Sequence, residues 1–393
     1  MTVRPHLIPA GWAGCSRMNG CRVVQPLRTK PETPDAGHAP GRLDAGRRPS
    51  LVPVSPDRQE PVIDLSILDI LPVPSGTPPT ETLARSRELA RLGDELGYRR
   101  IWYAEHHGTA GIAATSPDLM IAHVAPATER IRVGAGGVMM PNHMPLQVVE
   151  RYRALEALHP GRVDLGIGRA PGTDPLTARA LRSVSGEHVG GLIRELVAFG
   201  REDFPDDHPF RRVGVTPSGV RLPPLWMLGS SGGSARLAGE IGAGYAFASH
   251  FSPTPAGPAV AMYRETFEPS DDFPEPRVIL ALSVVCAETT DEAYELSLSV
   301  QLQFSRIRKG TAGPVPSPEE ARAEGWTPRG NPRGPVGGLV VVGDPGEVRT
   351  EIERRAAAVS ADEVMIMTIV HDPGARTRSY ELIAEAFDRP VGR

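Results

Sequence analysis

Lysine is nearly missing from this chain: Lys30 and Lys309 are the only two, and arginine makes up the rest of its 43 basic residues. Against 47 acidic residues the net charge is −4, so the arginine excess is read as the mark of a GC-rich genome. Nucleic acid is not expected as a partner. Cysteine is also scarce. Cys15, Cys21 and Cys286 cannot build a disulfide framework, which points to a reducing, cytoplasmic compartment. No apolar run reaches the roughly 18 residues of a membrane span, so no membrane partner is expected. What is abundant is glycine and proline, 42 and 41 residues, on a globular background of 40% hydrophobic and 23% charged residues. Such a chain has many turns and short elements and can bury a sizeable core. Its 393 residues fit two or three domains of roughly 150 each, or one (β/α)8 barrel, a fold of about 250 to over 400 residues.

Residues 1–60 stand apart. They hold nine Pro, six Gly and a charge of +4, leaving −8 on the rest, and no apolar period of 2 or 3.6 lasts through them. A segment of that composition buries too little surface to offset its ordering entropy and is expected to be a disordered leader. Leu7–Cys15 imitates the apolar stretch of an export signal, but Pro9, Gly11 and Gly14 interrupt it, so export is not expected. The folded domain is expected over residues 61–393.

From Pro61 onward strands and helices alternate. Strands are expected at Val62–Ile70, Arg100–Ala104, Ile131–Met139, Arg162–Gly168, Leu225–Leu228, Gly244–Ser249, Arg277–Ala287 and Glu363–Val370. Helices are expected after each: Thr80–Leu96 with Thr80 as cap, one opening at Ser116-Pro117, Pro145–Leu158, Leu176–Phe199, Ser234–Ile241 and Ala259–Phe267. Two more open at Thr289 and Asp344, the latter running to Val359, and Arg376–Phe387 closes the chain. Gly310–Gly338, rich in Pro and Gly, reads as a loop or lid. Eight βα units predict an α/β fold, specifically a (β/α)8 TIM barrel with a Pro/Gly-rich insertion.

In such a barrel the active site lies at the C-terminal ends of the strands. Those ends carry Asp69, Glu105-His106-His107, Met139-Met140, Arg169, Ser230-Ser231, His250 and His371-Asp372, a gathering of His, Arg and Ser that suits a polar ligand. Neighbours on a strand point to opposite faces, so the His106-His107 doublet does not make a metal site, and no HExxH accompanies it. One inward histidine, His106, is the more economical proton donor or acceptor. Gly229-Ser230-Ser231-Gly232-Gly233 follows a strand and opens a helix, an arrangement whose free N–H groups bind phosphate. Ser231 and Ser234 can add hydroxyls and Arg169 a guanidinium. The same string also fits the G-x-S-x-G nucleophile elbow of serine hydrolases, with Ser231 as nucleophile, His371 as base and Asp362 as third member. Gly166-Ile167-Gly168-Arg169-Ala170-Pro171-Gly172 departs from a dinucleotide fingerprint, because its third glycine comes one residue late and Pro171 blocks the helix. Its glycines, like Gly134-Ala135-Gly136-Gly137, suit a flat ligand lying close to backbone, or tight packing at a strand end.

Several strings in one order, AEHH at Ala104–His107, RIRVGAGGVMMPNHMP at Arg130–Pro145, GRVDLGIGRAPGTDP at Gly161–Pro175, PPLWMLGSSGGSARLA at Pro223–Ala238, GYAFASHF at Gly244–Phe251 and ADEVMIMTIVHDP at Ala361–Pro373, give the chain a family likeness. From about Val62 to Phe387 it resembles the luciferase-like flavin-dependent oxidoreductases, and most of all the single-chain flavin-utilising monooxygenases, some of them natural-product tailoring enzymes. The resemblance implies a barrel holding FMN at the strand ends. His106 aligns with the active-site histidine, Gly136-Gly137 with a cis peptide against the flavin ring, and Arg169, Ser231 and Ser234 with the phosphate-binding positions; Gly229, in the same Gly/Ser loop, is expected among the cofactor-binding residues. Gly168 stands where luciferase has a reactive cysteine, which argues against light emission. The implied reaction is oxygenation of a small organic substrate by O2 and reduced FMN, with the FMN reduced by a separate flavin reductase and the chain paired as a homodimer. Deazaflavin-dependent hydride transfer is the alternative within the superfamily; hydrolysis by Ser231 is the alternative outside it.

Overall fold

In the computed structural model, residues 63–328 and 338–388 are described; the expected leader and part of the Gly310–Gly338 insertion lie outside them. The first two βα units are β1 (Asp64–Asp69), α1 (Pro79–Glu95), β2 (Arg100–Tyr103) and α2 (Pro117–Val124). Then come β3 (Arg132–Ala135), β4 (Val138–Met139), α3 (Pro145–Leu158), β5 (Val163–Gly168), α4 (Pro175–Leu181) and α5 (Val189–Arg201). The second half comprises β6 (Leu225–Gly229), α6 (Gly232–Glu240), β7 (Gly244–Ala248), α7 (Ala256–Glu265), β8 (Val278–Cys286) and α8 (Thr290–Arg308). It ends with α9 (Pro318–Ala323), β9 (Val340–Gly343), α10 (Pro345–Ala357), β10 (Glu363–Met367) and α11 (Pro373–Ala386). Strands β1, β2, β3, β5, β6, β7, β8 and β10 pair in that order, all parallel, and β10 pairs back to β1, closing a (β/α)8 barrel. No helix among the described residues is long and apolar enough to cross a membrane.

Four expectations change. The strand expected at Ile131–Met139 is two, β3 and β4, because the chain breaks at a cis peptide between Gly136 and Gly137 before β4 rejoins β5 at Val138↔Ile167. The helix expected at Leu176–Phe199 is also two. Arg182 takes a left-handed backbone (φ 58°) that ends α4, and the polar stretch before His188 has no apolar stripe to continue it. The helix expected from Thr80 starts at Pro79 with Pro78 at its N-cap, so Thr80 caps nothing. The insertion is not all loop: Ser317 and Glu320 form a capping box that starts α9, and β9 follows it, pairing with β8 at Ser283↔Val340.

Alternation along the strands sorts the core into two sets. Leu65, Ile67, Ile101, Val133, Leu165, Met227 and Leu280 point outward under the helices, while Leu68, Trp102, Trp226, Ile279, Met365 and Met367 fill the barrel. The indole of Trp102 occupies the space that a side chain at Gly134 would need, since a Cβ there would stand 2.7 Å from the ring. At the N-terminal end of the strands a buried ionic plug closes the lumen. Arg100 donates to Asp164 (2.7 Å) and to both oxygens of Glu363 (2.8 and 3.0 Å), and Arg132 reaches Asp164 at 2.6 Å. Trp102 Nε1 also donates to Asp164 (3.1 Å), and the Arg100 guanidinium lies over the Trp226 ring. The lumen is therefore filled at one end. At the other, the inward positions at the ends of β2, β3, β5 and β7 are Ala104, Gly136, Gly168 and Ala248, small residues that leave room there.

Candidate active site

The open mouth is bounded on one side by glycine backbone. A Cβ on Gly137 would come within 2.7 Å of the Gly166 carbonyl oxygen, so the turn at the cis peptide lies directly on β5 and presents peptide planes to the lumen. A Cβ on Gly168 would stand 2.6 Å from Met139 Sδ, so a cysteine at this position has no room unless Met139 moves.

Glu105 holds that bend. The sequence motif placed it at a strand end but gave it no role, and the structure makes it a hub, with 1% of the residue exposed. Its carboxylate accepts from Met139 N–H (2.9 Å), Asn142 Nδ2 (3.0 Å), His143 Nε2 (2.9 Å) and His107 Nε2 (3.0 Å). Burial alone would raise its pKa, yet these donors, His143 first, bring it below the ordinary carboxylate value. His107 is thus spoken for.

His106 is not. Its Nδ1 lies 3.2 Å from the Gly172 carbonyl, which can only accept, so Nδ1 carries the proton and Nε2 is left as a free lone pair. Burial lowers its pKa, and the Gly172 bond and Glu105 only partly offset that. Strand β7 stands across the barrel from β2 and is followed two residues on by His250, whose Nδ1 is buried with no partner among the described residues. Its pKa is pushed down to about 3, by burial and then by the nearby His106 imidazole. Two neutral imidazoles therefore face the same mouth from opposite walls.

On the β5–β6 side, Arg169 and α6 form a seat for an anion. Arg169 Nη1 lies over the first turn of α6, 3.0 Å from where a Cβ on Gly233 would stand, and its buried Nε has no partner among the described residues. Ser231 is the N-cap of α6 but its side chain does not cap it, so the first N–H groups of the helix remain available; Ser234 is 5% exposed and packs on Gly229. Arg169 and the uncapped first turn of α6 have the chemistry to take an anion, and the backbone at Gly136-Gly137 leaves room for a flat group to approach.

The remaining strand ends serve the framework. Asp69 accepts from Leu71 N–H and Arg376 (both 2.8 Å), and Asp372 caps α11 through Ala375 N–H (2.7 Å). His371 bonds the hydroxyl (3.2 Å) and the carbonyl (3.1 Å) of Ser75. The segment after α8 crosses toward this loop, where Val315 and Ser75 exchange backbone bonds with Val73 and Val315 (2.7 and 2.8 Å) and Ser75 donates to Glu320 (2.9 Å). The hydrolase alternative fails on this geometry. Asp362, just before β10, binds Arg277 and Val278 N–H, while His371 follows the same strand, so the two lie at opposite ends of the barrel. Ser231 has ordinary extended backbone (φ −153°, ψ 162°) and no histidine partner among the described residues.

Comparison with known proteins adds the following. The family model for luciferase-like monooxygenase matches residues 65–362. The chain is 36% identical over 332 residues to a luciferase-like monooxygenase of Escherichia coli K12, covering 84% of this chain and 98% of the relative. It is 31% identical over 334 residues to the N-acetyl-S-alkylcysteine monooxygenase of Bacillus subtilis 168, covering 83% and 98%. Among solved structures, apo-MsnO8 superposes with a TM-score of 0.76 at 38% identity, covering 84% and 98%. Two others share the fold alone. One is the oxygenating constituent of a Pseudomonas putida 3,6-diketocamphane monooxygenase in complex with FMN (TM-score 0.63, 19% identity, 84% and 98% covered); the other is an F420-dependent secondary alcohol dehydrogenase (0.60, 15%, 83% and 99%).

Proposed function

The chain belongs to the luciferase-like monooxygenase family, and on that footing we propose that it uses reduced FMN and O2 to oxygenate a small organic substrate, with the FMN reduced by a separate reductase. The observation that carries the choice of a phosphate-bearing flavin is the anion seat: a buried guanidinium nitrogen with no partner among the described residues, beside a helix N-terminus that its N-cap side chain leaves uncapped. Arg169, Ser231, Ser234 and the backbone of Gly229 hold the phosphate, and Gly136 and Gly137 let the ring lie on the backbone. Bound reduced FMN supplies the electrons for oxygen activation. The chain supplies orientation, dryness and proton handling. His106 Nε2 takes or returns a proton at the mouth, with Nδ1 fixed on Gly172, and the segment carrying Val315 roofs the mouth against water.

A deazaflavin is the second reading, supported by the fold shared with the F420-dependent dehydrogenase, since the anion seat suits either phosphate-bearing cofactor. Titration of the protein with FMN and with F420 in parallel decides between them. Tighter binding of FMN, with oxygen uptake when photoreduced FMN and a substrate are added, is the expected result. Selective binding of F420, or indifference to both, overturns the proposal.

A further inference from the structure

The mouth has two unlike halves. Opposite the anion seat, Ile70, Ala104, Val300, Phe304, Val315 and Ile369 form one apolar set continuous with the barrel lumen. Helix α8 contributes to it through Leu296, Val300 and Phe304, which recur every four residues, so this helix face packs on that set. Gln303 lies on the same face and is 4% exposed. Its Nε2 donates to the Gly313 carbonyl (2.8 Å), and a Cβ on Gly111 would stand 3.0 Å from that nitrogen. Because the Gly313 carbonyl only accepts, the orientation of the carboxamide is fixed, with the amide group toward the roof. Its Oε1 is buried and accepts from no described residue. Two hydroxyls near it are likewise buried with no partner among the described residues: that of Ser299, one helical turn earlier, and that of Ser283, which has the inward parity of Ala281 and Val285 on β8.

We infer that Gln303 selects the substrate, its Oε1 accepting a hydrogen bond from an N–H or O–H group on an otherwise apolar, uncharged molecule. This rests on the monooxygenase reading of the mouth. A buried acceptor without a donor is costly, and a ligand that supplies the donor gains what an isostere lacking it cannot. The three unpartnered groups, one carboxamide and two hydroxyls, are neutral. They can satisfy an amide or an alcohol but cannot neutralise a buried carboxylate.

The test uses probes that differ at one atom. N-hexylacetamide and hexyl acetate share shape and apolar tail, but only the amide has an N–H; octanoate serves as the charged arm. Each is titrated into the full-length, FMN-loaded protein and followed through the flavin absorbance, with thermal shift of the flavin-free protein in parallel. The wild type should bind the amide about 3- to 10-fold more tightly than the ester, the worth of one neutral hydrogen bond, and octanoate more weakly still. Gln303→Met should level amide and ester while leaving FMN affinity unchanged. Were Gln303 only a clamp on Gly313, the substitution would weaken both probes equally and keep their ratio. Equal binding of amide and ester to the wild type overturns the inference without need of any variant, as does octanoate binding as well as the amide, or no binding by any probe. Failure to bind FMN would refute the flavin reading by itself. An amide preference in the flavin-free protein would still sustain the assignment of Gln303.

Discussion

Replacing Glu105 with glutamine keeps the shape of the side chain and removes only its charge and one acceptor. The consequence can be worked from its partners. If the new amide oxygen takes the place beside Met139 N–H, the NH2 group faces Asn142, His107 and His143. His107 can turn acceptor by changing tautomer, but His143 cannot, because its Nδ1 accepts from Arg151 (3.3 Å), and the Asn142 amide group keeps only its bond to the Pro171 carbonyl (3.0 Å). The opposite orientation sets the NH2 group against Met139 N–H, which has no such escape. At least one hydrogen bond to a charged acceptor is lost and another is weakened, which costs about 2–3 kcal/mol in unfolding free energy at pH 7. The carboxylate's pKa lies below its unfolded value, so its contribution is fully present above roughly pH 4.3 and fades as pH falls through the lower folded value. Urea denaturation of both proteins between pH 7 and pH 3.5 should therefore show a constant gap down to about pH 5 that closes in acid. A gap under about 0.5 kcal/mol at pH 7, or one that persists undiminished in acid, would refute the role given to Glu105.

Other substitutions probe the remaining parts. Asp164→Asn removes the buried carboxylate that Arg100 and Arg132 share, leaving Glu363 alone against Arg100, and should cost about 3–5 kcal/mol by chemical denaturation, with no preferential loss of flavin binding at the far end of the barrel. Gly137→Ala forces a methyl against the Gly166 carbonyl, so the β3–β4 bend must shift. A stability loss of about 1–3 kcal/mol, together with weaker FMN binding by absorbance titration, is expected. His106→Asn removes the free Nε2 and should slow product formation by about 100-fold or more, with FMN affinity little changed. Because burial lowers the His106 pKa, the neutral base persists from alkaline pH to below the ordinary histidine value. Where this group alone controls activity, the acid limb of the pH profile should accordingly have its midpoint below the ordinary histidine value of about 6.5.

The barrel was legible because eight strands repeat a period of 2 and the helices between them a period near 3.6, and both survive uncertain boundaries. What stayed hidden was non-local. The break at Gly136-Gly137 sits in a run of small and apolar residues whose pattern suits an unbroken strand, so the cis peptide found there is implied only by the family resemblance. Val340–Gly343 is too short to stand out beside the capping box that follows it. Arg169, Ser231 and Ser234 could be paired from strand-end position and the chemistry of a Gly/Ser loop. Glu105 could not be ranked, because its donors at residues 107, 139, 142 and 143 converge only in the folded barrel. Gln303 gave no signal at all within the pattern of α8. The proposed triad of Ser231, His371 and Asp362 shows the converse: correct residue order along the chain places Asp362 and His371 at opposite strand ends.

The central claim is that Arg169 and the N-terminus of α6 seat the phosphate of a flavin. Titration with FMN and with riboflavin, which differ by that phosphate, tests it in the wild type and in Arg169→Ala. The account predicts that the wild type prefers FMN and that Arg169→Ala loses about 10- to 100-fold in FMN affinity while riboflavin binding is unchanged. Equal binding of FMN and riboflavin by the wild type, or an Arg169→Ala variant that retains full FMN affinity, would contradict it.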